Sequence, residues 1–286
     1  MGVAFSVKDL YFKYPSSRED TIKGISFDVF EGEIFGLLGP SGAGKSTTQK
    51  ILIKLLEDYR GSIQYFGKDL KSIDNSFYEE IGVGFEVPVH FSKLTALENM
   101  KFFSGFYKST ADIRELMERV GLWEHRDIKV GEYSKGMKVR LNFVRAMLNN
   151  PRVLFLDEVT NGLDPKNAMI IKDMIAEYRA RGGTVFLTTH LMNDVEQLCD
   201  RIAFCVDGQL VEISTPRDLK LKYGKREVKV EYRENGNIAS AVFPLDGIGF
   251  NDEFLKLLQS GKIETIHSGE TSMEEIFIIV TGVELK

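Results

Sequence analysis

The sequence lacks long hydrophobic runs, clusters of basic residues and more than two cysteines. Its longest apolar stretches, such as 276–280, are far shorter than the roughly 18 residues of a membrane-spanning helix. The net charge of −5, without a basic run, argues against a nucleic-acid partner, because binding to phosphates usually requires a surplus of lysine and arginine. The amino terminus has no secretory signal pattern, so we expect a cytoplasmic protein that does not itself cross the bilayer.

The two cysteines, Cys199 and Cys205, have neither disulfide nor metal-site spacing. We therefore expect small buried side chains in a reducing compartment. With 286 residues, of which 43% are hydrophobic and 28% charged, the chain can form one substantial globular domain and a small second one.

Hydrophobic patterning divides the first part of the chain into three kinds of segment. Alternating apolar residues near 3–7 and 25–29 predict an antiparallel β region, and 94–150 predict an inserted helical subdomain. Two buried-strand runs, 153–156 and 184–187, are separated by a helical stretch from 167 to 180. This alternation is typical of an α/β domain with a parallel core sheet.

The pattern changes near residue 223, so we predict one domain over 1–223 and a small α+β domain over 224–286. The second begins with a hairpin signal at Asn235-Gly236. A helix near 251–258 and a strand near 263–266 follow. Ser272 and Glu275 predict a capping box that opens the last helix.

One glycine-rich segment matches G-x-x-x-x-G-K-[ST], the pattern of a loop that cradles phosphates. An apolar run at 34–38 precedes it and helical spacing over 46–56 follows it, which is the required strand–loop–helix context. Glycines let backbone N–H groups converge on a phosphate, Lys45 would neutralise the β and γ phosphates, and the Ser46 hydroxyl would bind Mg²⁺. We therefore expect ATP and Mg²⁺ to bind at this loop, which consists of Gly39, Pro40, Ser41, Gly42, Ala43, Gly44, Lys45, Ser46 and Thr47.

Two carboxylates, Asp157 and Glu158, end a buried strand, and open parallel sheets place their ligand crevice at such strand ends. Beside a phosphate loop, Asp157 would bind Mg²⁺ and Glu158 would orient or deprotonate the attacking water. An acidic pair of this kind is otherwise a solvated strand end.

With these motifs the sequence resembles the nucleotide-binding subunits of ATP-binding cassette (ABC) transporters, from about Val3 to Leu219. The resemblance implies the P-loop NTPase cassette fold and ATP hydrolysis, with Lys45, Glu158 and His190 as catalytic residues. It also implies that Tyr14 stacks on adenine, that Glu86 occupies the Q-loop position, and that His190 contacts the γ-phosphate. The signature corresponds to Tyr133-Ser134-Lys135-Gly136-Met137 and the D-loop to Asn161-Gly162-Leu163-Asp164.

Residue chemistry alone leaves alternatives at two of these positions. Ser134 is also an ordinary N-cap residue, and His190 could be a core histidine with a local hydrogen bond. The chain also departs from the commonest pattern. Glu86 replaces the usual glutamine; a glutamate can still bind Mg²⁺ but adds a negative charge beside the γ-phosphate. Asp157 and Glu158 match the family's Walker B motif, and Val159 replaces the proline that usually follows its glutamate.

The variant signature, with Lys135 and Met137, resembles the subgroup that serves ABC-2-type exporters, including drug-resistance ATPases. The segment 272–282 resembles the usual C-terminus of that subgroup. We therefore expect an exporter subunit that joins a membrane permease and a second ATP-binding subunit, identical or homologous, around two ATP molecules. It would lie on the cytoplasmic face of the membrane through that permease. An aromatic-rich stretch could dock the permease or pack within the helical subdomain: Phe91, Phe102, Phe103, Phe106 and Tyr107.

Three other functions compete with this interpretation. A soluble ABC protein acting on ribosomes or chromosomes usually has two cassettes or long coiled coils, neither of which is present. A phosphotransferase would not need the signature at 133–137 or the histidine His190. A non-hydrolytic binding module is suggested only by Glu86.

Overall fold

A computed structural model describes residues 2–234, 236–269 and 271–283. By its contacts the chain divides into two compact units, the first extending to Pro216 and the second from Arg217 to Gly282. The division therefore falls at the first residue of the helix Pro216–Tyr223, whereas the sequence analysis placed the boundary at the end of that helix.

The first unit contains ten strands, seven α-helices and three short 3-10 helices among its described residues. The strands are β1 (Val3–Phe12), β2 (Ile22–Phe30), β3 (Ile34–Leu38), β4 (Arg60–Tyr65), β5 (Lys68–Asp69), β6 (Ile81–Gly84), β7 (Val153–Asp157), β8 (Thr184–Thr189), β9 (Arg201–Val206) and β10 (Gln209–Ser214). The helices are α1 (Lys45–Leu52), α2 (Phe77–Glu80), α3 (Ala96–Ser104), α4 (Ile113–Arg119), α5 (Lys135–Met147), α6 (Pro165–Ala180) and α7 (Met192–Leu198).

The central sheet of the first unit has six strands in the order β10-β9-β3-β8-β7-β6. All neighbours are parallel except β10, which pairs antiparallel with β9. Leu38 of β3 lies beside Thr189 of β8, and Asp157 of β7 lies beside Thr188. The segments that follow β3, β7 and β8 therefore begin at one edge of the sheet, and they carry the phosphate loop, Glu158 and His190.

A second, antiparallel sheet has the order β2-β1-β4-β5. Its inward side chains meet those of the central sheet in an aromatic core. The Phe27 ring stacks on Phe35 with centroids 5.4 Å apart, and Phe5 meets Phe155 edge-on at 5.6 Å. Such ring pairs contribute about 0.5–1.5 kcal/mol each beyond the burial of area. The predicted α/β cassette, with a parallel core sheet and an antiparallel β region, is confirmed.

Helices α3, α4 and α5 lie within the predicted helical segment 94–150. Thr95 opens α3 with a capping box to Glu98, and the Asp112 carboxylate caps α4. Helix α1 ends at Leu52, earlier than its apolar spacing indicated, and Lys54 has a left-handed backbone with φ 58°. The short strand β6 was not predicted; it carries glycines because a Cβ on Gly82 would lie 1.9 Å from the Ala146 carbonyl oxygen.

The second unit contains α8 (Pro216–Tyr223), β11 (Glu227–Glu234), β12 (Asn237–Pro244), α9 (Asp252–Gln259), β13 (Ile263–Ser268) and α10 (Met273–Thr281). Its strands form an antiparallel sheet in the order β12-β11-β13. The predicted hairpin joins β11 to β12; Asn235 of its turn is outside the described residues, and Gly236 has φ 84°. The capping box of Ser272 and Glu275 opens α10 as predicted.

Candidate nucleotide site

The phosphate loop leaves β3 and enters α1. Gly42 and Gly44 have φ of 83° and 102°, in the left-handed region that glycine adopts without a steric cost. A Cβ on Gly39 would lie 2.0 Å from the carbonyl oxygen of Cys205. The loop can therefore follow this path only with glycine at position 39. Beneath it, the buried Cys205 thiol donates to the Ala43 carbonyl over 3.0 Å, and burial raises its pKa to about 11. Both cysteines are buried and free, as expected.

Lys45 is buried at the start of α1. Its ammonium donates hydrogen bonds to the carbonyl oxygens of Gly39 and Pro40, over 2.7 and 3.0 Å. Burial lowers the Lys45 pKa, and the carboxylates of Glu158 and Asp157 oppose that shift most strongly. A cation in this position faces both the loop and the acidic pair, which is the arrangement that a triphosphate needs.

Tyr14 approaches the same loop from the turn after β1. Its hydroxyl lies 3.2 Å from the Thr47 hydroxyl oxygen, and its ring meets the Phe12 ring edge-on with centroids 4.9 Å apart. The ring is partly buried. An aromatic face thus lies next to the phosphate loop, where the resemblance places adenine.

Asp157 and Glu158 are both buried at the end of β7. The Thr188 hydroxyl donates to Asp157 Oδ1 over 2.5 Å. Glu158 has φ 51°, a left-handed conformation that costs a non-glycine residue about 1–3 kcal/mol. In this conformation the Glu158 carboxylate reaches the end of β8, where it contacts Thr189 and His190.

Three donors from the end of β8 surround the Glu158 carboxylate. The His190 Nδ1 lies 2.7 Å from Oε1, the His190 backbone N–H donates to Oε1 over 3.1 Å, and the Thr189 hydroxyl donates to Oε2 over 3.1 Å. The His190 side chain is 39% exposed, so it is not an enclosed core histidine. Thr188 and Thr189 were not among the predicted site residues, because their contacts depend on the register between β7 and β8.

The signature residues lie at the start of α5, where the Ser134 hydroxyl caps the helix by accepting from the Met137 N–H over 3.2 Å. The N-cap role that Ser134 has by chemistry alone is therefore present. A Cβ on Gly162 would lie 2.9 Å from Lys135 Cε, so the Lys135 stem covers the D-loop. Among the described residues, no hydrogen bond joins the signature to Lys45, Asp157 or Glu158 of the same chain.

Asp164 ends the D-loop and caps α6. It accepts from the Asn167 N–H over 3.1 Å and from the Asn167 side chain over 2.5 Å, and these hydrogen bonds lower the pKa of its carboxyl. The D-loop is thereby fixed at its end by a local helix cap.

Glu86 follows β6 and is exposed. Its carboxylate is one of the charges that raise the Lys45 pKa, so it faces the same site as Asp157. The described residues contain no cluster of three or more His, Cys, Asp or Glu side chains able to hold a metal ion. Mg²⁺ usually binds through one or two carboxylates together with phosphates and waters, and that requirement fits Ser46, Asp157 and Glu86.

Comparisons with known proteins agree with this arrangement. The family model described as "ABC transporter" matches residues 22–161, and the model described as "Fluoroquinolone efflux ABC transporter C-terminal domain" matches 226–270. The fluoroquinolones export ATP-binding protein of Mycobacterium tuberculosis is 48% identical over 281 residues, which cover 98% of this chain and 93% of that protein. The Nod factor export ATP-binding protein I of Burkholderia pseudomallei is 37% identical over 222 residues, 75% of this chain and 73% of that protein.

The chain belongs to the ATP-binding subunits of ABC transporters. It binds ATP and is an ATPase. A solved ATP-binding subunit of an ABC transporter aligns with a TM-score of 0.70 and 29% identity, over 77% of this chain and 93% of the other. A dimeric ATP-binding cassette in a post-hydrolysis state, bound to ADP and Pi, aligns with a TM-score of 0.67 and 25% identity, over 74% of this chain and 98% of the other. No helix among the described residues of this subunit is long and apolar enough to span a membrane.

Proposed function

We propose that this subunit drives export through a separate membrane permease, by ATP-dependent pairing of two ATP-binding subunits. The observation that carries the proposal is the placement of Lys45, Asp157, Glu158 and His190 at one edge of the sheet, apart from the signature at Ser134. Ser134 and Gly136 lie at a helix start, where backbone N–H groups can bind an anion. Among the described residues, this anion site makes no hydrogen bond to the phosphate loop of the same chain. The second half of each ATP site then comes from another subunit, identical or homologous.

Within one site, the proposal gives each of the predicted residues a role. Tyr14 stacks on the base, and the loop from Gly39 to Thr47 with Lys45 holds the phosphates. Ser46, Asp157 and Glu86 are the proposed Mg²⁺ ligands, and the ion supplies charge neutralisation of the phosphates. Glu158 orients and deprotonates the attacking water, and His190 binds both the Glu158 carboxylate and the γ-phosphate.

Signature residues Ser134, Lys135, Gly136 and Met137 and the D-loop residue Asp164 contact the nucleotide of the opposite subunit. Export is the direction named for the relatives, and the match of 226–270 to a fluoroquinolone efflux C-terminal domain supports the export of an organic compound of that kind.

An apolar patch on the helical subdomain is the proposed contact with the permease. The Phe102 ring packs edge-on against Phe91 and Phe106, with centroids 4.8 and 5.2 Å away, yet Phe106 remains 66% exposed. Rings that contact each other and still face solvent are suited to a partner surface. In this arrangement the subunit lies at the cytoplasmic face of the membrane.

The test is to isolate the tagged chain from detergent-solubilised membranes and identify what is bound. We expect a polytopic membrane protein with a second ATP-binding subunit. Phe106→Ser should lose the membrane protein, whereas the control Val211→Ser, at another exposed apolar residue, should retain it. Ribosomes or DNA in place of a membrane protein would support the rival soluble function and contradict this proposal.

A further inference from the structure

Three polar side chains outside the nucleotide motifs form a connected buried group, here named the Thr160–Asp194–Lys172 group. The Thr160 hydroxyl donates to Asp194 Oδ2, and Lys172 Nζ lies 2.5 Å from Asp194 Oδ1. Thr160 and Asp194 are buried, and the Lys172 side chain is only 12% exposed. Lys172 also donates to Gln197 Oε1 over 2.9 Å.

The group joins the two turns that carry the proposed hydrolytic residues. Thr160 follows Glu158 in the turn between β7 and α6, and Asp194 follows His190 on α7. Lys172 projects from α6, which begins at the end of the first turn. The segment after β7 therefore contacts the segment after β8 at two places. Glu158 contacts His190, and Thr160 contacts Asp194 at the start of α7.

Two points of contact restrict the turns more than one does. The hydrogen bonds from Thr189 and His190 all end on the Glu158 carboxylate, so without a second contact the segments could pivot about that one side chain. A misplacement of about 1 Å can cost roughly a hundredfold in rate. The Glu158 backbone is also in an unfavourable left-handed conformation, which persists only where neighbouring contacts enforce it. One such contact is the Asn161 N–H to the Glu158 carbonyl over 3.0 Å, directly beside Thr160.

Burial gives the second contact its rigidity. A buried carboxylate needs its partners because an unpaired charge in the interior is costly, so Asp194 keeps both Thr160 and Lys172 in place. A second ion pair, between Arg179 of α6 and Asp200, is more exposed to solvent. Arg179 Nη2 lies 2.6 Å from Asp200 Oδ1, but the two side chains are 43% and 34% exposed, and among the described residues neither is hydrogen-bonded to Glu158.

We infer that Thr160, Asp194 and Lys172 are positioning residues for ATP hydrolysis. They hold Glu158 and His190 in their positions relative to each other. The inference rests on the proposed roles of Glu158 and His190. None of the three needs to touch ATP. Their loss should lower turnover without weakening nucleotide binding.

The experiment compares Thr160→Val, Asp194→Asn and Arg179→Met in the full chain, with kcat, KM, ATP affinity and melting temperature measured for each. For the first two we expect kcat to fall at least tenfold while KM and ATP affinity stay within threefold. Thr160→Ser, which keeps the hydroxyl, should stay within twofold of the wild type. Arg179→Met removes an exposed ion pair of α6, the helix that also carries Lys172, and should leave kcat within twofold.

Wild-type kcat in Thr160→Val would overturn the inference, as would an equal kcat loss in Arg179→Met at a matched drop in melting temperature. If Asp194→Asn does not fold, Thr160→Val decides alone, because it removes one hydroxyl with little change in shape. Full turnover in Glu158→Gln would instead refute the proposed function. Loss in Glu158→Gln with wild-type kcat in Thr160→Val refutes only this inference.

Discussion

The His190 Nδ1 lies 2.7 Å from Glu158 Oε1, across the ends of two neighbouring parallel strands. The contact joins residues that are far apart in the chain, and it places an imidazole against the carboxylate proposed to activate water. The imidazole has two ring nitrogens, so His190 can donate from Nδ1 to the carboxylate while an N–H at Nε2 donates to a second acceptor, such as a phosphate oxygen.

His190→Ala should therefore lower kcat about 100-fold, since a positioned acid–base partner typically contributes 10²–10⁴-fold. ATP affinity should change little, because most of the phosphate contacts are proposed to come from Lys45 and the loop amides. Steady-state hydrolysis and equilibrium binding of ATP measure the two effects. His267→Ala, at an exposed histidine of the second unit, is the control and should be silent. Equal activity in both variants would exclude a role for His190.

Gly39→Ala should damage the phosphate loop. The new Cβ would lie 2.0 Å from a backbone oxygen of β9, so the loop or the strand must move. Forced packing of this kind costs about 1–3 kcal/mol, and the displaced amides should weaken ATP binding at least about tenfold. Urea unfolding and nucleotide binding are the measurements. Gly249→Ala, where a Cβ meets nothing within 4 Å, should leave both unchanged.

Because of His90, we expect the folding stability of the chain to depend on pH. The His90 Nε2 donates to the Lys138 carbonyl oxygen over 3.2 Å, and its Nδ1 is buried without a partner among the described residues. Burial, with Arg145 nearby, lowers the pKa of His90 to about 4. Above pH 6.5 the ring is neutral in both the folded and the unfolded chain. Between pH 6.5 and about 4 only the unfolded chain takes up a proton, so folding stability falls as the pH falls.

The expected loss specific to His90 is about 2–3 kcal/mol between pH 7 and pH 4.5. Urea unfolding of the wild type and of His90→Gln at both pH values isolates it, because carboxylate effects are shared. The free energy of unfolding of His90→Gln minus that of the wild type should increase as the pH falls. A constant difference would show that His90 titrates normally in the folded chain.

Glu86→Gln should change how hydrolysis depends on Mg²⁺. The carboxylate faces the site of Lys45 and is a proposed ligand of the ion, and an amide oxygen is a weaker ligand for a hard cation. We expect the Mg²⁺ concentration for half-maximal hydrolysis to rise severalfold, with turnover at saturating Mg²⁺ kept within about threefold. Glu86→Asp keeps the charge and should lie between the two. An unchanged Mg²⁺ requirement would remove Glu86 from the ligand set.

Local patterns in the sequence were sufficient for the parts of the site that are contiguous. The loop from Gly39 to Thr47, the acidic pair at Asp157 and the cap at Ser134 each follow from residue type and spacing, and the order of motifs indicated the fold. Contacts between distant segments could not be predicted in this way. Thr188 beside Asp157 depends on strand register, and Asp194 beneath Thr160 depends on where α7 packs.

The short strand β6 shows a different limit. Its glycines weaken the strand signal, and they are needed because the Ala146 carbonyl lies where a Cβ would be. The left-handed conformation of Glu158 likewise has no local sequence cue, since nothing in that residue type favours a positive φ. Both features come from tertiary packing, which overrides local propensity.

The most direct test of the account is ATP turnover by Glu158→Gln, with ATP binding measured on the same sample. The amide keeps the size of the side chain but cannot take a proton from water, so we expect binding within about threefold of the wild type and turnover at least about 100-fold lower. Glu57→Gln, at an exposed glutamate after α1, should hydrolyse ATP at the wild-type rate. Wild-type turnover in Glu158→Gln would contradict the central claim that Glu158, held by His190, activates the attacking water.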